Sequence, residues 1–333
     1  MTLVVDSPPM AVSADFRIED LEQYRRELTG YCYRMLGSAF EADDAVQETM
    51  VRAWRNADTF EGRSAVRSWV YRIATNVCLD MLRGRQRRAL AMDLGPAGKA
   101  DAFTWAKREE NAWVTPIPDS RVLPTDGDPA ELVEAKESIK LAFVTALQRL
   151  PARQRAVLIL REVLRWQAAE VAELLDTTVA SVNSALQRAR ATLATVETGQ
   201  HQSVELGDEQ RELLARYVDA FERYDISSLV TLLRDDVVMS MPPFDFWLSG
   251  PDEMAEWFVG EGKACEGSRL VAVGANGMAA FASYKPDPAT GELKPWSIQL
   301  IEISGERIVG HHNFLDTALF EVFGVPPQLH HAG

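Results

Sequence analysis

The spacing of apolar residues divides the chain into parts of different character. Over residues 15–90, and again over 131–197, apolar residues return every three or four positions, which predicts amphipathic helices. Gly and Pro punctuate residues 91–130 and exclude long regular elements, so this stretch is predicted to be a linker. Over residues 205–330, helical stripes give way to short strand-like runs, which predicts an α+β domain.

The first helical unit is predicted to hold three helices. They begin near Asp15 or Ile18, near Ala42 and near Ser64. The second unit is predicted to hold one helix over 129–150 and three more over 152–164, 167–175 and 179–194. Thr177 or Thr178 is a good N-cap for the last helix, and two short helices joined by a polar turn indicate a helix-turn-helix.

The C-terminal part is predicted to be an α+β cone. Two helices come first, and a curved antiparallel meander of five strands follows, over 237–241, 268–273, 278–284, 297–303 and 307–313. Asn276-Gly277 and Ser304-Gly305 are the expected hairpin turns.

Composition narrows the class of protein. The 333 residues include three Cys without a C-x-x-C pair, so neither a metal site nor a disulfide framework is indicated, and we expect no cofactor. No basic leader and no apolar run of about 20 residues is present, so we expect a cytoplasmic chain without a membrane partner.

Charge is distributed unevenly around a net value of −14. Residues 61–88 hold seven Arg against two acids, whereas residues 205–259 hold thirteen acids against four Arg. Local charge decides a nucleic-acid footprint, so the basic segment still predicts phosphate binding. Attraction between the acidic C-terminal part and the basic stretches Arg83–Arg88 and Arg149–Arg165 would favour a compact free protein.

An acidic amphipathic helix is followed directly by a basic helix that carries Trp69 and Tyr71. Arg supplies phosphate affinity, and aromatic rings can stack on unpaired bases. The pair predicts a module that binds a protein on one face and nucleic acid on another.

The sequences DDAVQETMVRAW and FEGRSAVRSWVYRIATNVCLDMLR resemble region 2 of bacterial sigma factors of the extracytoplasmic-function group. The resemblance implies contacts with the β′ clamp helices of core RNA polymerase through Asp44, Gln47, Glu48 and Trp54. It also implies recognition of the promoter −10 element through Phe60, Gly62, Arg63, Ser64, Arg67, Arg72 and Asn76. Gly62 and Ser64 offer space and backbone donors for an extruded base.

A second stretch, LQRLPARQRAVLILREVLRWQAAEVAELLDTTVASVNSALQRARATL, resembles region 4 of the same group. That likeness implies contact with the polymerase β flap and reading of the −35 element through Ser181, Asn183, Ser184, Gln187 and Arg188. Three positions depart from the family pattern: Arg165 stands where Gly is usual, and Asn183 and Ala185 stand where Lys or Arg is usual. Fewer cations should weaken non-specific binding, while Asn183 can read an adenine edge.

The C-terminal stretch LLARYVDAFERYDISSLVTLLRDDVVMSMPPFDFWLSGPDEMAEWF resembles the SnoaL-like polyketide cyclases, which are related to ketosteroid isomerases. Tyr217 matches their oxyanion-binding Tyr, but Met241 occupies the position of the base and cannot accept a proton. Asp245 is the alternative acid. We therefore expect no catalytic residue, and a pocket for a small-molecule ligand at Tyr217, Met241, Trp247 and Trp296.

These resemblances imply a multidomain protein with two all-α sigma domains and a C-terminal α+β SnoaL-like cone. The implied function is promoter-specific transcription initiation with core RNA polymerase, regulated by the cone. Two alternatives remain: a ligand-responsive helix-turn-helix repressor, and a cyclase or isomerase. The acidic helix at Asp43–Glu48 speaks against the first, and Met241 speaks against the second.

Overall fold

The computed structural model describes residues 18–57, 60, 65–102, 106–126, 128–195 and 207–329. Gly62, Arg63 and Ser64 of the predicted −10 set lie outside the described residues. No helix in the described part of the chain is both long and apolar enough to span a bilayer.

Three helices form an N-terminal bundle. A short 3-10 turn over Ile18–Tyr24 leads into α1 (Arg25–Leu36), α2 (Ala39–Arg55) and α3 (Val66–Met81). Gly37 ends α1 in the left-handed region at φ 71°, and the Ser38 side chain caps α2 by accepting from the Glu41 amide.

The segment over residues 82–128 is called here the connecting segment, and its described residues, 82–102, 106–126 and 128, form only short elements. They are 3-10 turns over Ala91–Asp93, Ala100–Ala102 and Glu110–Ala112, and a four-residue helix α4 (Asp119–Val122). The segment nonetheless packs into the core, because Trp113 and Ile117 are buried.

The helix-turn-helix unit follows, with α5 (Pro129–Glu137), α6 (Leu141–Gln148), α7 (Ala152–Leu158), a π-helical turn over Ile159–Val163, α8 (Ala168–Leu174) and α9 (Val179–Ala194). The single helix predicted over 129–150 is wrong, since the chain breaks after Glu137. There Ser138 and Ile139 form a turn and Lys140 adopts an extended ψ of 143°, and the buried Arg34 guanidinium donates to the Ser138 carbonyl (3.0 Å) and hydroxyl (2.6 Å). Arg165 adopts φ 58°, a conformation natural for the Gly usual at this position.

The cone comprises α10 (Asp208–Glu222), α11 (Ile226–Val230), α12 (Pro251–Val259) and α13 (Leu319–Val322), with strands β1 (Leu233–Ser240), β2 (Trp247–Ser249), β3 (Arg269–Ala275), β4 (Met278–Pro286), β5 (Leu293–Ser304) and β6 (Arg307–Phe314). The strand order is β2-β1-β6-β5-β4-β3. The α+β class is as predicted, but the all-antiparallel meander is wrong because β1 pairs in parallel with β6. The short β2 was also missed.

The two faces of the sheet belong to different cores. The inner face packs against α10 and α12 through residues such as Tyr217, Phe281 and Ile301. The outer face, including Ala282 and Leu300, joins one continuous buried cluster that also contains the N-terminal bundle and the helix-turn-helix unit. In the described chain, the cone, the N-terminal bundle and the helix-turn-helix unit therefore bury apolar side chains in one common cluster.

Arg155 ties the helical units together. Its buried guanidinium donates to the carbonyl of Met35 in α1, to the Gln148 side chain (2.6 Å), and to the carbonyls of Gln148 (3.2 Å) and Leu150 (3.1 Å). Burial lowers its pKa to about 10, which leaves it charged at neutral pH. The donors of this one side chain satisfy carbonyls that would otherwise be buried without partners.

Arg155→Met should lower the free energy of unfolding by about 2–4 kcal/mol, because several buried carbonyls lose their donor while the aliphatic volume is kept. Urea unfolding measures the change, with Arg153→Met, an exposed position on the same helix, as the matched control. Equal unfolding midpoints for the two variants would contradict this role.

Candidate nucleic-acid interface and ligand cavity

One face of α2 is open to solvent. Asp44 and Gln47 are exposed, Glu48 is half-buried and bonded to Arg52 (2.7 Å), and the Trp54 side chain is 62% exposed. Asp44, Gln47 and Glu48 lie three or four positions apart, and Trp54 follows Gln47 by seven positions, or about two turns, so the four residues form one stripe on the helix. Trp is enriched at protein interfaces because it combines a large apolar body with a polar N–H.

The predicted −10 residues within the described chain lie on or beside α3. Phe60 packs on Trp69 with 5.0 Å between ring centroids, and Asn76 is exposed. Arg67 forms a two-point ion pair with Glu27 of α1, with 2.9 Å between Nη2 and Oε2.

The helix-turn-helix unit contacts this side of α3. The Arg67 guanidinium lies 5.4 Å from the ring centroids of both Tyr71 and Trp166, which places it between an aromatic ring of each unit. Arg72 donates to the Glu173 carbonyl (3.3 Å) and lies 3.5 Å from its carboxylate. Two cations of the predicted DNA-binding face are therefore engaged by α8 and the residue preceding its N-cap.

The predicted −35 residues form one exposed face of α9. Thr178 caps the helix by accepting from the Ser181 amide (3.1 Å), and Arg188 donates to the Ser184 hydroxyl (2.7 Å). The exposed members of this face are Ser181, Asn183, Ser184, Gln187 and Arg188. The α9 face is exposed, whereas Arg67 and Arg72 of α3 contact the helix-turn-helix unit while keeping 42% and 44% of their side-chain surface exposed.

The β3–β4 hairpin reaches into the junction of all the other units. Its two-residue turn has left-handed residues at Asn276 (φ 54°) and Gly277 (φ 66°), as the Asn-Gly pair predicts. The fully buried Asn276 side chain accepts from the Ile117 amide (2.9 Å) and donates to the Tyr33 hydroxyl (2.7 Å) and the Ile139 carbonyl (2.6 Å). One amide thus joins the cone to the connecting segment, to α1 and to the turn between α5 and α6.

The described ion pairs to the acidic cone do not come from the two basic stretches that the charge distribution of the sequence predicted. Within the basic stretches, Arg85 and Arg88 pair with Glu41 of α2 in the neighbouring N-terminal bundle. The pairs that do reach the acidic cone start from the connecting segment, as Lys99–Glu253 and Arg108–Asp245. Asp245, the alternative acid of the cone, is therefore engaged at this interface.

The four predicted pocket residues are not all brought together. A small cavity of about 40 Å³ inside the cone is lined in part by Met241 and Trp296. Tyr217 is buried at its floor, bonded to the lining residues Gln299 and His311. Trp247 lies elsewhere, because its indole donates to the Gly95 carbonyl of the connecting segment (2.9 Å).

A directional hydrogen-bond relay crosses the floor of the cavity. The Asn313 amide donates to His311 Nδ1 (3.1 Å), so the neutral ring carries its proton on Nε2, which faces the Tyr217 hydroxyl (2.8 Å). Tyr217 in turn donates to Gln299 Oε1 (2.8 Å). Burial lowers the pKa of His311 to about 3, and burial raises the pKa of Tyr217. The Tyr217 proton is thus committed to Gln299, and His311 cannot take up a proton near neutral pH.

Several contacts were not predicted from the sequence. Trp166 and Glu173 were assigned only to the helix-turn-helix, and Asn276 only to a turn. The Asn-Gly pair was a sufficient signal for the turn, but no local signal shows what a turn side chain touches.

Comparison with known families gives two matches. A model of sigma-70 region 2 matches residues 21–88, and a model of sigma-70 region 4 matches residues 140–193. The first covers the N-terminal bundle and the second covers α6–α9, apart from the last residue of α9.

Individual relatives extend the similarity to the cone. The chain is 42% identical over 313 residues to the ECF RNA polymerase sigma factor SigG of Mycobacterium tuberculosis, which covers 92% of this chain and 83% of that protein. It is 29% identical to SigW of Bacillus subtilis over 170 residues, 51% of this chain and 82% of that protein. The crystal structure of the Mycobacterium tuberculosis sigma factor SigJ superposes with a TM-score of 0.58 and 20% identity, covering 93% of this chain and all of that one, which establishes a shared fold.

Stability should depend on pH through His311. Its pKa is depressed in the folded protein, so between about pH 6.5 and 3 the unfolded chain binds the extra proton and stability falls as the pH falls. The slope should approach about 1.4 kcal/mol per pH unit. His311→Gln removes this pH-dependent loss of stability. The difference in unfolding free energy between the variant and the wild type, measured with urea at pH 7, 6 and 5, should therefore become smaller as the pH falls. A constant difference across this range would contradict the assignment.

Proposed function

The chain belongs to the extracytoplasmic-function sigma factors of RNA polymerase, and from this premise we propose how it binds core RNA polymerase and how its C-terminal cone restrains the sigma domains. As a member of that family it directs promoter-specific transcription initiation by core RNA polymerase. One observation carries the proposal: the α2 and α9 faces are open, whereas Arg67 and Arg72 of α3 are engaged in contacts with the helix-turn-helix unit.

Core polymerase binds first in this proposal. The α2 stripe of Asp44, Gln47, Glu48 and Trp54 contacts the β′ clamp helices, and the helix-turn-helix unit contacts the β flap. Support comes from the exposure of the stripe in the compact protein, because no domain has to move before docking. These partners place the protein in the cytoplasm.

Promoter recognition is divided between two faces. The −10 element is recognised by Phe60, Gly62, Arg63, Ser64, Arg67, Arg72 and Asn76. The −35 element is recognised by the α9 face, where Asn183 reads a base edge and Arg188 binds phosphate. The −10 contacts require Arg67 and Arg72 to leave Trp166 and Glu173, so separation of the helical units precedes promoter melting.

The cone restrains that separation. Its Asn276 amide is bonded at once to Tyr33, Ile117 and Ile139, so the helical units cannot part without breaking contacts to the hairpin. Regulation of the sigma factor by its own C-terminal domain follows from this geometry. The cone acts without catalysis, because Met241 replaces the base and the Tyr217 proton is committed to Gln299.

The polymerase assignment is tested with Gln47→Ala combined with Trp54→Ala. Retention of the variant by immobilised core enzyme should fall about tenfold or more, because an exposed Trp at an interface centre often contributes 2 kcal/mol or more. Gln187→Ala on the open α9 face serves as the matched control. Unchanged retention of the folded double variant would exclude the α2 stripe as the docking surface.

Restraint by the cone is tested with Asn276→Ala. Solution scattering at physiological salt should show a larger radius of gyration than for the wild type, and run-off transcription at limiting core enzyme should rise. Glu306→Ala, at the exposed β5–β6 turn, controls for changes in hairpin structure. If circular dichroism shows a folded variant whose scattering and transcription match the wild type, the hairpin does not restrain the sigma domains.

A further inference from the structure

A basic pocket lies where the N-terminal bundle, the connecting segment and the helix-turn-helix unit meet. Its volume is about 210 Å³, and its walls come from α1 and α2, from the connecting segment, and from α6, α7 and the loop between them. Among the described residues that line it, one is acidic, Glu41, and four are Arg, namely Arg85, Arg87, Arg88 and Arg155. None of these side chains belongs to the polymerase-binding or DNA-binding faces described above.

The positive charges of this pocket outnumber the negative ones. Arg85 and Arg88 share the carboxylate of Glu41. In the described chain no carboxylate lies within ion-pair distance of Arg87 or Arg155. Arg155 is 5% exposed, and its Nη groups donate to backbone carbonyls and to the Gln148 side chain, all of which are neutral acceptors.

Burial makes this excess of positive charge unfavourable. It lowers the pKa of Arg155 to about 10, and it also lowers the pKa of Arg88. Buried charges in proteins are normally paired, and an unpaired one interacts strongly with an ion of opposite sign that enters the same low-dielectric region. The electrostatics of the pocket therefore favour a negatively charged ligand.

The donors that a ligand can reach are the exposed ones. Arg85, Gln86, Arg87 and Asn111 all line the pocket and are all exposed to solvent. A guanidinium presents parallel N–H groups that match two oxygens of one phosphate, which a point charge such as an ammonium does not. Arg155 acts through its charge, because its Nη donors are already used within the protein.

We propose that this pocket binds a compact polyphosphate, either a free one such as pyrophosphate or the phosphate chain of a nucleotide. Arg85 and Arg87 bind the phosphate oxygens, and the buried Arg88 and Arg155 supply further positive charge. One phosphate group carries at most about two negative charges near neutral pH, so a chain of two or more matches four guanidinium groups and one carboxylate better. A pocket of about 210 Å³ between three units is too small for a DNA duplex.

This site deepens the regulation proposed above, and its effect on transcription rests on that proposal. The walls of the pocket belong to the helical units that must separate before the −10 element is recognised. A polyphosphate held between these units opposes their separation and so lowers transcription. Binding itself is measured without polymerase or promoter, so the two proposals fail separately.

Calorimetric titration of the full-length protein at physiological salt, with orthophosphate, pyrophosphate and ATP in magnesium-free buffer, tests the pocket. We expect saturable binding of pyrophosphate at one site per chain. The affinity should fall about tenfold or more in Arg87→Gln, because a charge-assisted contact is lost. Tighter binding of ATP than of pyrophosphate would identify a nucleotide as the ligand, and the reverse order would identify a free polyphosphate.

Arg83→Gln is the matched control. Arg83 belongs to the same basic stretch, but its side chain is 81% exposed, pairs with Asp80 (3.3 Å) and does not line the pocket. Both substitutions are at exposed positions, so both variants are expected to fold. The proposal is overturned if neither pyrophosphate nor ATP shows saturable binding below about 10 mM, if orthophosphate binds as tightly as pyrophosphate, or if the two variants bind alike.

Two further variants separate the pocket from the restraint by the cone. Glu41→Gln removes the carboxylate of the lining and should therefore bind pyrophosphate several times more tightly. Asn276→Ala, in which the helical units are expected to separate, should bind it more weakly than the wild type. If Asn276→Ala keeps the wild-type affinity while Arg87→Gln loses it, the pocket is confirmed and the restraint by the hairpin is contradicted.

Discussion

The buried amide of Asn276 is the contact on which the arrangement of the chain depends. An amide at the tip of a hairpin is normally solvated, and here it is dehydrated completely. That burial is tolerable only while the Ile117 amide, the Tyr33 hydroxyl and the Ile139 carbonyl are all in place. Because the partners come from different units, the hairpin enforces one relative position of α1, the connecting segment and α6.

The same contact is reversible because water can replace its partners. A hydrogen bond exchanged for solvent contributes only about 0.5–1.5 kcal/mol net, so three such bonds oppose opening by a few kcal/mol. The exposed pair Lys99–Glu253 adds about 0–1 kcal/mol. A partner that binds the open form about a thousandfold better outweighs a restraint of this size. A large multisubunit enzyme that docks on both helical units is a partner of that kind.

Local chemistry made much of this fold predictable. The cap at Thr178 and the Asn276-Gly277 turn depend on neighbours within three residues, and both are present as the sequence indicates. The features that were not predicted depend on contacts between residues that are far apart in the sequence. The parallel pairing of β1 with β6 joins residues about seventy positions apart, and the break between α5 and α6 lies where Arg34, 104 positions earlier, donates to Ser138. Whether a candidate DNA-binding cation such as Arg67 is free or engaged likewise depends on a Trp nearly a hundred positions away.

The helix-turn-helix unit engages cations of α3, whereas the candidate DNA-binding face of α9 is exposed. The different charges of the two helices explain the consequence of this difference. Phosphate binding by Arg is long-ranged, so an uncovered basic α3 would attract any nucleic acid before polymerase arrived. Placing the Arg67 guanidinium between Tyr71 and Trp166, and in an ion pair with Glu27, keeps the cation while these groups compete with phosphate for it. The α9 face has fewer cations, since Asn183 and Ala185 stand where the family usually has Lys or Arg, and so has less non-specific attraction to suppress. The face with the stronger sequence-independent affinity is therefore the one whose cations the fold engages.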